Sequence, residues 1–280
     1  MNARLALVVA LALTAGCSAL SDSGDTSTLT PAPVPQPATT TETSPLPPGV
    51  TGASIESVDR LSLAHLEATN GTAYVWQSNY TRIRYFGNKT FVGHIRQTAT
   101  VENQSVYTYW TNRKKAPREA QFSYLGEYGL YADSTGRYTR LKQGGTFTYE
   151  RLSPQPARQQ IGRRTGSAVD EYLRTENVTV TETRVDGARF YEIVGTDYAF
   201  RSGYGIRDYT ARAIVSPDGF VRSLAVSYNQ TRDGEREHIE YTFAYSRLGN
   251  ATVDEPDWVG THWTDDGGRG ILPGGENGTE

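Results

Sequence analysis

The chain has 280 residues, a net charge of −3 and a hydrophobic content of 37%, a size and balance that suit one ordinary globular domain and exclude the basic stripe of a nucleic-acid binder. Arginine outnumbers lysine 24 to 4, while the modest net charge argues against an extreme cytoplasmic halophile protein and leaves an extracellular one open. The single cysteine, Cys17, rules out an internal disulfide, and no Cys or His lies close enough in sequence to complete a zinc site with it.

The N-terminus explains that cysteine. Arg4 supplies a small positive region, Leu5 to Leu13 an apolar run, and Thr14-Ala15-Gly16 a small-residue ending, the order of a secretory signal peptide over residues 1–16. The apolar run is too short to span a bilayer, which takes about 20 residues. The small-small-Gly-Cys ending resembles the lipobox of prokaryotic lipoproteins, in which the cysteine becomes the mature N-terminus and carries lipid on its sulfur. It departs from that pattern at Thr14, where such boxes prefer Leu. The resemblance implies lipidation at Cys17 and a tether to the extracytoplasmic face of the cell membrane, and stable anchoring takes two acyl chains. Residues 17–50 are mostly Ser, Thr, Pro, Ala and Asp, including PAPVPQP and PLPPG, the composition of a disordered linker that as a flexible coil spans roughly 30 Å.

The folded part is expected over residues 51–260, with 261–280 as a flexible tail. A first helix follows Ser54, with Ile55, Val58, Leu61 and Leu66 at helical spacing and Glu56 in the first turn. From Tyr74 to Phe86 the period is two. Turning Asn79 outward puts Tyr74, Trp76 and Tyr80 inward, but it sends Arg82 and Arg84 inward as well, so the strand is expected to end or bulge before them. Tyr107, Tyr109 and Trp110, before Arg113-Lys114-Lys115, fit sheet packing followed by a solvated turn, or a cavity wall with cations for anionic headgroups. A second helix is expected over about Ala157 to Arg174, weakened by Gly162 and Gly166. Phe220, Leu224, Val226 and Tyr228 then alternate with Val221, Ser223, Ala225, Ser227 and Asn229, and Ile239, Tyr241, Phe243 and Tyr245 alternate with Glu240, Thr242, Ala244 and Ser246. Asp186-Gly187, Gly144-Gly145 and Pro217-Asp218-Gly219 supply hairpin turns. The plan is α+β: an antiparallel curled sheet with two helical segments on its concave face.

Eight of the ten asparagines head an Asn-x-Ser/Thr triplet: Asn70, Asn79, Asn88, Asn103, Asn177, Asn229, Asn250 and Asn277. That excess reads as a surface suited to glycans. The order of lipobox, polar linker, LPPGV at Leu46 to Val50, a helix ending His65-Leu66-Glu67-Ala68, Tyr-rich strands with sequons and a closing Gly249-Asn250-Ala251-Thr252-Val253 resembles a family of uncharacterised haloarchaeal lipoproteins with no established activity. In topology the plan is also similar to the LolA/LolB-like lipoprotein carriers, a half-barrel around an apolar cavity, which implies a hydrophobic ligand.

No GxSxG, HExxH, P-loop or dinucleotide fingerprint is present, and Gly203-Tyr204-Gly205 reads as a turn. His65 falls on the first helix as a packed residue, His94, His238 and His262 lack partners at ligand spacing, and Asp170-Glu171 and Asp265-Asp266 read as solvated charges. An enzyme is not expected, nor is a cofactor. The leading expectation is a membrane-anchored protein that binds a hydrophobic ligand in a cavity lined by Trp76, Tyr80, Leu224 and Val226. The alternative is a glycosylated surface protein with no such cavity.

Overall fold

The structure is a computed structural model that describes residues 45–114, 126–199, 205–232 and 234–263. Among them, eleven strands form one antiparallel sheet: β1 (Tyr74–Phe86), β2 (Lys89–Val101), β3 (Tyr107–Lys114), β4 (Gly126–Ala132), β5 (Arg137–Gln143), β6 (Thr146–Leu152), β7 (Thr175–Val185), β8 (Ala188–Tyr198), β9 (Arg207–Val215), β10 (Val221–Arg232) and β11 (Glu235–Ser246). Their spatial order is β6-β5-β4-β3-β2-β1-β11-β10-β9-β8-β7. Two hairpin meanders therefore meet where β1 pairs with β11, from Val75↔Ser246 to Tyr85↔Arg236. The sheet does not close, since β6 and β7 are its two free ends, and with its helices the domain is α+β, an open half-barrel.

The inner face is set by alternation. Opposite Trp76 lie Ala99 on β2 and Tyr245 on β11, and these three, with Leu224, Val226, Ala211, Ala213 and Ile193, belong to the main core. Two helices cover it: α1 (Val58–Ala68), and α2 (Arg163–Tyr172) with the π-helical turn Arg158–Gly162 leading into it. α1 starts later than the apolar spacing suggests. The Ser54 hydroxyl is held by Thr51 at 2.8 Å, and Ser57 is the N-cap, its Oγ accepting from the Arg60 N–H. Ile55 and Glu56 precede the helix.

Gly162 and Gly166, which look like interruptions in sequence, are what lets α2 approach α1. A Cβ at Gly166 would sit 3.0 to 3.1 Å from three atoms of Leu66, and one at Gly162 would sit 3.2 Å from Leu66 Cδ2. The Ser62 hydroxyl donates to the Gly166 carbonyl at 2.8 Å across the same contact. The weak point in helix propensity is a packing surface.

His65 locks α1 to the sheet from a fully buried position. Its Nδ1 accepts the Val221 N–H at 3.2 Å, which leaves the proton on Nε2 to be donated to the Tyr245 hydroxyl, also at 3.2 Å. Val221, expected on the outer side, is buried because the β9–β10 register shifts between Val221 and Ser223.

A second, smaller core lies on the outer face. After β11 the chain returns to β4–β6 as α3 (Asp257–His262), and Val259 packs with Tyr131 and Tyr138 beside Trp258 and Trp263. The His262 ring lies 3.7 Å from that of Tyr149. Ordered packing thus runs to Trp263, past the start of the expected tail. It also begins early: the Pro45 carbonyl accepts the Tyr191 hydroxyl and Val50 is buried, so the end of the proline-rich stretch belongs to the domain.

Candidate functional site

The helices cover only part of the inner face. Along β1 the inward residues read Tyr74, Trp76, Ser78, Tyr80, Arg82 and Arg84; the first three are buried at 1% to 3% exposure, Tyr80 is half-buried, and the side chains of Arg82 and Arg84 reach 17% and 25%. The covered half is aromatic and aliphatic. A polar band crosses the middle, where Ser78 donates to Gln97 at 2.9 Å and Gln97 to the Tyr109 hydroxyl at 2.7 Å, with the Arg164 guanidinium 4.8 Å above the Tyr109 ring. Tyr107 and Tyr109 are packed into the core beneath α2 and its approach.

β1 does not end before its arginines. It continues to Phe86 because β11 supplies a carboxylate to meet them. Glu237, 2% exposed, bonds to Arg82, accepts from Arg84 Nε at 3.2 Å and from Gln230 Nε2 at 2.7 Å. Burial alone pushes this carboxyl up, but the hydrogen bonds from Arg82 and Gln230 and the arginine charge outweigh it and hold the group below the usual carboxylate range. Arg84 also reaches Glu235 at 3.3 Å. The alternation is sound; a pattern confined to one strand cannot reveal the partner more than 150 residues away that makes it affordable.

Beside this cluster, β10, β9, the end of β8 and the end of α2 form a cleft of about 290 Å³ lined by Glu171, Tyr172, Tyr198, Ile206, Tyr209, Tyr228, Gln230 and Arg232. Its wall is a row of phenols: Tyr198 to Tyr209 ring centres are 5.0 Å apart and Tyr209 to Tyr228 5.5 Å, with interplanar angles of 35° and 31°. Tyr209 donates to the Tyr172 carbonyl at 2.7 Å, which ties the row to the helix end. Burial pushes up the pKa of all four phenols, so they stay neutral donors, and burial followed by the Asp170 charge raises that of Glu171. The surface is therefore amphipathic, with flat apolar rings carrying hydroxyls and a carboxylate and a guanidinium at its margin. No group of three or more His, Cys, Asp or Glu able to hold a metal occurs among the described residues.

Of the residues expected to line a cavity, Trp76, Leu224 and Val226 are 1%, 1% and 4% exposed and sit in the packed core, with Tyr80 half-buried at its border. The cleft lies further along the same face, next to Tyr80's row. Sequence reasoning missed it because its walls come from four segments, α2, β8, β9 and β10, and only the Tyr-rich strands hinted at it. Asn70, Asn79, Asn88, Asn103, Asn177, Asn229 and Asn250 are all exposed; Cys17 and Asn277 lie outside the described residues. Asn177 and Asn229 donate from Nδ2 to Asp197 and Asp208 at 2.8 and 2.9 Å, and Asn103 Oδ1 accepts two backbone N–H groups of its own turn.

No helix among the described residues is long and apolar enough to cross a membrane. Solved structures similar to this chain include LprF from Mycobacterium bovis, with 15% identity, coverage of 71% of this chain and 96% of that one, and a TM-score of 0.33. A DUF1329 family protein from Desulfovibrio piger shares 12% identity over 72% and 95% of the two chains, with a TM-score of 0.25, and a LolA superfamily protein from Nitrosomonas europaea shares 9% over 72% and 96%, with a TM-score of 0.23. No curated protein matches the sequence. Across residues 3–262 it fits one family model, and the chain belongs to that family, a family of unknown function (DUF7537).

Proposed function

We propose that this chain is an extracytoplasmic lipoprotein, tethered through Cys17, that binds a small hydrophobic ligand bearing a polar group in the tyrosine-lined cleft. The observation that carries the reading is the unfilled cleft itself, on the half of the inner face that α1 and α2 leave uncovered. At about 290 Å³ it stands at the small end of ligand sites, so it suits a single ring system or one end of a longer amphiphile. The linker holds the domain off the membrane, and the exposed sequons carry glycans that face the surroundings.

The test uses the purified full chain and a hydrophobic fluorescent probe. Binding near one equivalent to the native protein, abolished by Ile206→Trp at unchanged stability, is the expected result; absence of binding, or binding indifferent to Ile206→Trp, overturns the cleft. The tether is tested separately, since Cys17→Ser is expected to move the folded protein out of the membrane fraction, and a variant that is still processed and membrane-bound refutes it. The packing of Trp76, Leu224 and Val226 favours a second reading, a glycan-displaying surface protein with a filled core, and this reading gains if the probe does not bind.

A further inference from the structure

We infer that the outer edge of β7 is a self-pairing surface, through which two copies of this chain join their sheets antiparallel about Val180. The two ends of the sheet are not alike. β6 is seven residues long, and its side chains are engaged by α3, by way of Tyr149 against Trp258 and His262. β7 has 11 residues, no proline, and among the described residues no strand on its outer side. Natural edges are blunted by shortening, bulging, covering, proline or charge, and of these β7 carries only its charges, Glu176, Glu182 and Arg184, which are of both signs. From Asn177 to Val185 this one runs in unbroken register with β8.

The hairpin fixes which backbone groups point outward. Asp186 and Gly187 have φ of 51° and 79° and form a two-residue turn of the primed type, flanked by Val185↔Ala188. That flanking pair is hydrogen-bonded, so alternation directs the N–H and C=O of Val185, Thr183, Thr181 and Thr179 toward β8, and those of Arg184, Glu182, Val180 and Val178 outward; the ladder to β8 is interrupted at Glu176, opposite Asp197. A strand pairing with a copy of itself must match outward residues with outward residues, which restricts the twofold axis to a few positions.

Charge selects among them. With the axis at Val180, Glu176 faces Arg184 of the second copy and Arg184 faces its Glu176, giving two opposite-charge pairs between exposed side chains. Moving the axis one residue toward the N-terminus sets Glu176 against Glu182 twice. Moving it one residue toward the C-terminus loses both charge pairs and shortens the ladder. The centred register alone pairs the whole strand without a like-charge contact. Asn177 stays on the outer face, where its side chain points away from the pairing direction.

Sedimentation of the full chain in mild detergent is expected to show a monomer–dimer equilibrium. Val180→Pro, which deletes an outward donor without touching the β8 ladder, is expected to leave a folded monomer. Glu176→Arg and Arg184→Glu are each expected to weaken the dimer about tenfold, and the double exchange to restore it. In a Cys17→Ser background, Val180→Cys is expected to form an intermolecular disulfide on oxidation, whereas Thr148→Cys on β6 does not. A chain monomeric at all concentrations overturns the inference, as does a dimer indifferent to Val180→Pro and to both charge reversals. None of these readouts involves the ligand cleft.

Discussion

The buried imidazole of His65 gives the fold a defined sensitivity to acid. Desolvation by burial lowers its pKa from 6.5 to about 3, and the local bonding explains why: a second ring proton would have to sit on Nδ1, facing the N–H of Val221. Because the folded state holds the base neutral while the unfolded chain protonates near 6.5, the unfolded state binds more protons throughout the interval between them. Stability contributed by the neutral ring is therefore present above pH 6.5 and falls as the pH drops toward 3. Between pH 7 and pH 4.5 the loss from this one group is about 2 to 3 kcal/mol. His65→Gln offers an amide oxygen to the Val221 N–H and removes the titration. Urea unfolding followed by tryptophan fluorescence, at both pH values and for both proteins, isolates the effect, since the carboxylates titrate alike in each. The native protein is expected to lose about 2 to 3 kcal/mol more than the variant on acidification. Equal losses would show that the ring is not held neutral and would refute the reasoning.

Glu237→Ala strips the counter-charge from Arg82 and Arg84 and should cost about 2 to 3 kcal/mol, the low end for breaking a buried pair because both guanidinium groups keep some solvent; an unchanged denaturation midpoint would show the cluster to be inert. Since that carboxyl is held below its ordinary range, its contribution persists above the unfolded value near 4.3 and disappears as the pH falls through the folded one. Gly166→Leu should destabilise by about 1 to 3 kcal/mol through overlap with Leu66, despite a gain of about 1 kcal/mol in helix propensity; a more stable variant would mean that α1 and α2 are free to separate.

The strands were legible in the sequence because each carries its own period. Trp76, Leu224, Phe243 and Tyr245 all turn inward as alternation requires, and α1 and α2 appear near their expected places. What could not be read is whatever depends on a partner from elsewhere in the chain. Arg82 and Arg84 are intelligible only beside Glu237, Gly162 and Gly166 only beside Leu66, and Val221 only through the register shift of β10 against β9. α3 is six residues long, too short for any helical period to show. The cleft shares the difficulty, since one wall is the end of a helix and the others are strands.

The seam between β1 and β11 also governs the order of assembly. Every other strand pair joins neighbours in sequence, so each meander is built from local hairpins that form quickly, whereas β1 must wait for the last strand of the chain. Until β11 arrives, β1 keeps one side of its 13-residue ladder bare, and His65 lacks the Tyr245 hydroxyl that its Nε2 proton is donated to. A chain made from its N-terminus therefore gains its full cooperativity only after Ser246 has been added. The same delay makes a product truncated before β11 adhesive along its bare β1 edge.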